Sequence, residues 1–110
     1  MPLTVFDIET YGIRLGFSGS ISNTQITLNG ADGEGTAYSV VIKFSSNHPL
    51  PEDAYNASAR MYLSFVPFQH LPHYVDLLRN EAPLKASFNK EHPAGCMIYT
   101  GHETPGEGEE

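Results

Sequence analysis

Apolar and polar residues alternate along most of this chain, and the period is two far more often than 3.6. Ile13, Leu15 and Phe17 alternate with Arg14, Gly16 and Ser18, and Phe6 and Ile8 alternate with Val5, Asp7 and Glu9. This is the spacing of a half-buried strand, so residues 4–18 are expected to be strand, with a bend or bulge at Tyr11-Gly12. Thr24-Gln25-Ile26-Thr27-Leu28 is a second strand. The stretch Asn29-Gly30-Ala31-Asp32-Gly33-Glu34-Gly35 then supplies residues that accept a positive φ and predicts a tight hairpin turn. A third strand follows over 36–44, with Tyr38, Val40, Ile42 and Phe44 on one face.

His48-Pro49-Leu50-Pro51 resists helix, because each proline pushes its predecessor toward extended backbone. Residues 52–59 admit one short helical turn. A fourth strand over 59–66 carries Met61, Leu63 and Phe65 against Tyr62, Ser64 and Val66. Both sets are apolar enough to predict a strand covered on two faces. The period then changes. Leu71, Tyr74, Val75, Leu77 and Leu78 follow helical spacing over 68–80. Pro72 suits the first turn, Arg79 and Asn80 suit the last, and Pro83 forbids continuation. Strands over 84–89 and 96–100, joined by a turn, close the pattern as a second hairpin. Strands and helix do not alternate, so the expected class is α+β: a mainly antiparallel sheet of about six strands with one α-helix packed on it. The second face of such a sheet is solvated, covered by another sheet, or buried in a dimer.

The length of 110 residues fits one domain, expected over 1–102. Residues 103–110, rich in Glu and Gly, cannot bury enough apolar surface to offset ordering and read as a disordered acidic tail. Charged residues are 17% of the chain, below the usual ~25%. The net charge is −7, but Glu103, Glu107, Glu109 and Glu110 belong to the tail, leaving nine acids against six bases and −3 on the body. The bases are scattered singly at 14, 43, 60, 79, 85 and 90. A basic groove for phosphates is therefore not expected, which disfavours nucleic acid as a partner. The same absence weighs against a base-stacking platform of Tyr38, Phe44, Tyr62, Phe65, Phe68 and Tyr74, which read as core. No apolar run nears the ~20 residues of a membrane span, and no secretory signal is visible. A cytoplasmic, soluble protein is the expectation. The single cysteine, Cys96, lies in the apolar run Cys96-Met97-Ile98-Tyr99 and reads as a buried thiol.

Few residues suggest chemistry. Asp7 and Glu9 are two apart on a strand, and so share a face where two carboxylates could hold a divalent metal. The pentapeptide Phe6-Asp7-Ile8-Glu9-Thr10 resembles the first motif of the DEDD exonuclease family, which implies metal-dependent phosphodiester hydrolysis. The resemblance covers five residues. That family's last motif sets a His four residues before an Asp, whereas here His73 precedes Asp76 by three and His70 by six. His70 and His73 are spaced to share a metal on one helix, with Asp76 or His48 as a third ligand. Pro2 resembles the N-terminal proline of the tautomerase superfamily, but the strand pattern over 11–28 departs from that family's long helix. Gly30, Gly33 and Gly35 lead into a strand rather than a helix, and so form a turn and not a phosphate loop. No cofactor is expected. The reading is a non-enzymatic interaction module acting through protein–protein contacts, as a homodimer or on another protein. The alternative is a small metal-dependent hydrolase or nuclease-like enzyme using Asp7 and Glu9.

Overall fold

Alternation places the inward side chains of five strands on one concave face, and a single helix lies against it. The computed structural model describes residues 3–18, 21–22, 24–45, 49–93 and 95–100. The elements are β1 (Thr4–Arg14), β2 (Phe17–Ser18), β3 (Ile21–Ser22), β4 (Gln25–Ala31), β5 (Ala37–Ser45), β6 (Ala54–Asn56), β7 (Met61–Pro67), α1 (Leu71–Asn80), β8 (Leu84–Phe88) and β9 (Cys96–Thr100). A 3-10 turn over Phe68–His70 leads into α1. Seven strands form one sheet in the order β6-β7-β5-β4-β1-β8-β9, while β2 and β3 form a small separate ribbon. The class is α+β with a mostly antiparallel sheet, as the periodicity predicts.

The β4–β5 hairpin is in register from Gln25↔Lys43 to Ala31↔Ala37. Both strands run further than the sequence pattern suggests, so Asn29 and Gly30 are strand residues and the turn is Asp32 to Thr36. Asp32 builds that turn: its Oδ1 accepts from the Glu34 and Thr36 N–H groups, both at 2.9 Å. Gly35 supplies the left-handed conformation, at φ 85°.

Two features depart from expectation. Residues 54–56 are an edge strand, not a helical turn, and they pair with β7 from Ala54↔Leu63 to Asn56↔Met61. β7 runs parallel to β5, from Ser39↔Met61 to Ser45↔Pro67. The connection over 46–60 is long enough to return the chain to the start of β5, which a tight turn cannot do. β7 is covered on its inner face, where Tyr62 and Ser64 are buried. Its outer face carries half-buried Met61, Leu63 and Phe65, and the described residues place no second layer over them.

The sheet curls strongly. β8 and β7 are four strand spacings apart, about 19 Å in a flat sheet. Yet the rings of Phe88 and Tyr62 sit 4.8 Å apart. Phe88 also meets Tyr55 at 5.5 Å, Tyr38 at 6.2 Å and Phe6 at 6.5 Å. These aromatic rings from β1, β5, β6, β7 and β8 close one end of the curl. Lys90 lies over them, with its Nζ 5.0 Å from the Tyr38 ring centre and donating to the Tyr38 hydroxyl at 3.0 Å.

α1 fills the rest of the concave face. Leu78 is buried, and Leu71, Tyr74, Val75 and Leu77 pack against the core of Ile26, Leu28, Val40, Ile42 and Phe44. The Tyr74 ring meets Phe44 edge-on at 5.5 Å. Pro72 sits in the first turn, and Arg79 in the last.

Candidate functional site

The curl leaves a seam where β9 faces the β7 side of the sheet across α1. Two adjoining cavities occupy it and share Tyr74 and Cys96. The smaller, about 300 Å³, lies between Tyr74 and Leu77 of α1 and the consecutive residues Cys96, Met97 and Ile98 of β9, with His73 at the rim. Adjacent residues of a strand point to opposite faces, so three in a row mark its edge. β9 is the last strand of the sheet, and among the described residues nothing pairs with that edge. The larger cavity, about 700 Å³, is bounded by the Leu50–Asp53 segment, Phe65 and Val66 of β7, and Pro93 and Gly95.

One polar network holds the seam. The Tyr62 hydroxyl donates to Asp53 Oδ2 at 2.6 Å and accepts from the Gly95 N–H at 2.8 Å. Asp53 Oδ1 accepts from the Phe65 N–H at 3.1 Å. Asp53 thus ties the loop before β6 to β7, and Tyr62 ties both to the turn before β9. Burial first, and the bond to Asp53 second, push the Tyr62 phenol well above its ordinary value. Burial likewise raises Tyr74, helped by the potential charges of Cys96 and Asp53.

Cys96 is a poor nucleophile. Burial pushes its thiol up from 9.0 to about 12, with the Asp53 charge adding to the effect. Its fraction of thiolate near neutrality is therefore about a thousandth of an ordinary thiol's. The stability consequence has a definite sign. The unfolded chain loses the Cys96, Tyr62 and Tyr74 protons at lower pH than the folded one, so unfolding gains as pH rises. The stability from Cys96 is whole below about pH 9 and is lost as pH climbs toward about 12. Melting temperatures should therefore be flat from pH 7 to 8.5 and fall above pH 9. Cys96→Ala should recover about 1 kcal/mol of the pH 10 loss. An equal fall in that variant would show that the thiol is not the cause.

Of the residues singled out in the sequence, Cys96 lines both cavities and His73 the rim of one, whereas Asp7, Glu9 and His70 lie elsewhere. Asp7 is exposed on the outer face and forms an ion pair with Lys85 of β8. Glu9 is exposed at a β-bulge: the β1–β4 register passes from Ile8↔Gly30 to Thr10↔Asn29 and skips it. The bulge therefore falls two residues earlier than the predicted bend, and β1 runs unbroken through Tyr11 and Gly12. His70 and His73 are exposed with ring centres 6.0 Å apart. The Asp76 carboxylate accepts from Asn80 Nδ2 at 2.7 Å. Among the described residues no three His, Cys, Asp or Glu side chains are grouped to hold a metal. Tyr38, Phe44 and Tyr62 are buried, which removes them from any stacking surface. Pro2, His48 and the acidic segment 103–110 lie outside the described residues. Among the described residues no helix is long and apolar enough to cross a membrane.

Tyr62 was legible as a core aromatic of the fourth strand, but its link to Asp53 carried no sequence signal. Asp53 follows two prolines in an unpatterned segment, and its partners are nine and twelve residues on, across a crossover. No family model, no curated protein and no solved structure matches this chain.

Proposed function

We propose that this chain is a non-enzymatic protein-binding module whose seam takes an extended segment of a partner polypeptide. The observation that carries this reading is the free edge of β9 facing α1 across an apolar cavity. Unpaired N–H and C=O groups on a strand edge recruit another strand, and the neighbouring pocket selects its side chains. Tyr74, Leu77 and Ile98 would receive one apolar side chain.

Charge favours a basic neighbour for that side chain. Glu52 and Asp53 line the larger cavity, and among the described residues no Lys or Arg lines either one. The partner segment is therefore extended, with an apolar residue beside Lys or Arg. The polar groups in the seam also support binding over catalysis. Asp53 is engaged by Tyr62 and Phe65, and Cys96 holds its proton.

A random-peptide display library panned on the full chain tests the idea. Peptides pairing an apolar residue with Lys or Arg should enrich. Their affinity should fall about tenfold with Glu52→Lys and with Met97→Lys. Met97 is 68% exposed, so its change should leave the fold intact. No enrichment, or peptides indifferent to both substitutions, would refute the assignment.

A further inference from the structure

We infer that a second copy of this chain pairs antiparallel with the free edge of β1, about a twofold axis at Gly12. This surface is separate from the seam, and the pairing does not depend on peptide binding there.

β8 covers β1 only from Thr4↔Phe88 to Asp7↔Lys85. β4 pairs with the other side of β1 as far as Arg14↔Gln25. Residues 8–14 therefore present a strand edge with no partner among the described residues. β8 begins at Leu84, so its pairing with β1 stops at Asp7, and beyond the β1–β4 bulge at Glu9 the register with β4 is regular from Thr10 to Arg14. Beyond the Glu9 bulge this edge carries little to blunt it: it contains no Lys and no Pro, and Arg14 is its one charged residue. Its inner-face residues are apolar and solvent-facing, with Tyr11 40% and Ile13 42% exposed. Leu15, just beyond, is 69% exposed.

Three features select a second copy of the same chain. The first is symmetry. Thr10 to Arg14 is centred on Gly12, and a twofold there sets Tyr11 of each copy opposite Ile13 of the other. Two apolar cross-strand pairs form on one face, with alternation preserved across the joint. The second is charge. Glu9 and Arg14 have no ion-pair partner among the described residues. The same register puts Arg14 of each copy opposite the other's Thr10 and beside its Glu9, so two opposite-charge contacts arise at once. The third is Gly12 itself. Its φ is not in the left-handed region, and a Cβ there would meet nothing within 4 Å. Nothing inside the chain calls for glycine at the centre of this strand, and one use of a strand glycine is to let another backbone approach closely.

One strand pair buries less than the roughly 800 Å² per partner of a standard interface, so dissociation constants of about 10–100 µM are expected. Sedimentation velocity of the full chain at low salt, from about 5 µM to about 1 mM, should show a concentration-dependent dimer. Arg14→Glu should weaken it about tenfold, and Glu9→Arg with Arg14→Glu should restore it to within about threefold. In a Cys96→Ala background, Gly12→Cys should form a disulfide-linked dimer under oxidised glutathione, because the axis sets residue 12 against itself. Thr10→Cys should not, because it faces Arg14. A chain still monomeric at the highest concentration overturns the inference. So does a dimer indifferent to Arg14→Glu, or linkage of Thr10→Cys as ready as that of Gly12→Cys.

Discussion

Phe88→Ala should lower the unfolding free energy by about 3–5 kcal/mol. Phe88 is buried, and its ring contacts aromatic rings from β1, β5, β6 and β7. Three of those strands lie between β8 and the far edge, so this one side chain joins parts of the sheet that hydrogen bonding keeps apart. Alanine removes the ring and leaves a void that the rigid strands around it cannot collapse into. The loss would consume a fifth or more of the roughly 5–15 kcal/mol expected of a domain this size. Phe88→Leu keeps most of the volume, and should cost about half as much. Urea unfolding followed by tyrosine fluorescence reads both changes. The midpoint should drop with the denaturant slope unchanged, since the exposed surface on unfolding is nearly the same. A cost below about 1 kcal/mol for alanine would mean that the curl is held elsewhere.

That contact also marks the boundary between what the sequence discloses and what it does not. The β4–β5 hairpin and α1 were legible because their signals are local. Asn29-Gly30 and Asp32-Gly33 sit between alternating runs, and Leu71, Tyr74, Val75 and Leu78 repeat with the helical period. The parallel β5–β7 pairing was not legible, because its cause is the path of residues 46–60, and nothing in their composition fixes where that path ends. β6 is three residues long, too short for alternation to register. The curl arises from Phe88 meeting Tyr62, 26 positions apart in sequence on strands that never pair. The candidate site follows the same division. Cys96 was legible as a thiol in an apolar run, but it is half-buried at the edge of the core and lines both cavities, and partial burial still keeps it protonated. The Asp53–Tyr62–Gly95 network joins three segments only after the sheet has curled, so no spacing rule could mark it. The shared face of Asp7 and Glu9 presumes an unbroken pleat, whereas the register skips Glu9. The free edge of β1 has a related origin. Its apolar alternation was visible, but the early end of β8 against it was not.

The bulge makes Gly30 the second position of large effect, and Gly30→Ala should cost about 3 kcal/mol. Gly30 is a buried strand residue paired with Ile8, immediately before the skipped Glu9. There the β1 backbone bends toward β4. A Cβ at residue 30 would collide with the Asp7 carbonyl oxygen and come within 3.0 Å of Phe6 Cδ2. The main obstacle is backbone, which cannot rotate away as a side-chain tip does. Alanine must therefore push β1 off β4, weakening the Asp7↔Ala31 and Ile8↔Gly30 pairs and disturbing Phe6 in the core. Ordinary conformational reasoning points the other way, because alanine restricts the unfolded chain more than glycine and stabilises wherever it fits. Steric exclusion wins here: relief of chain entropy is worth at most about 1 kcal/mol, less than the cost of shifting a paired strand. Gly33→Ala is the matched control. Its Cβ would meet nothing within 4 Å and its φ is not in the left-handed region, so it should stay within about 0.5 kcal/mol of the parent. Thermal or urea unfolding of the two variants separates the cases. Equal stabilities would show that β1 and β4 do not approach closely where the register skips Glu9.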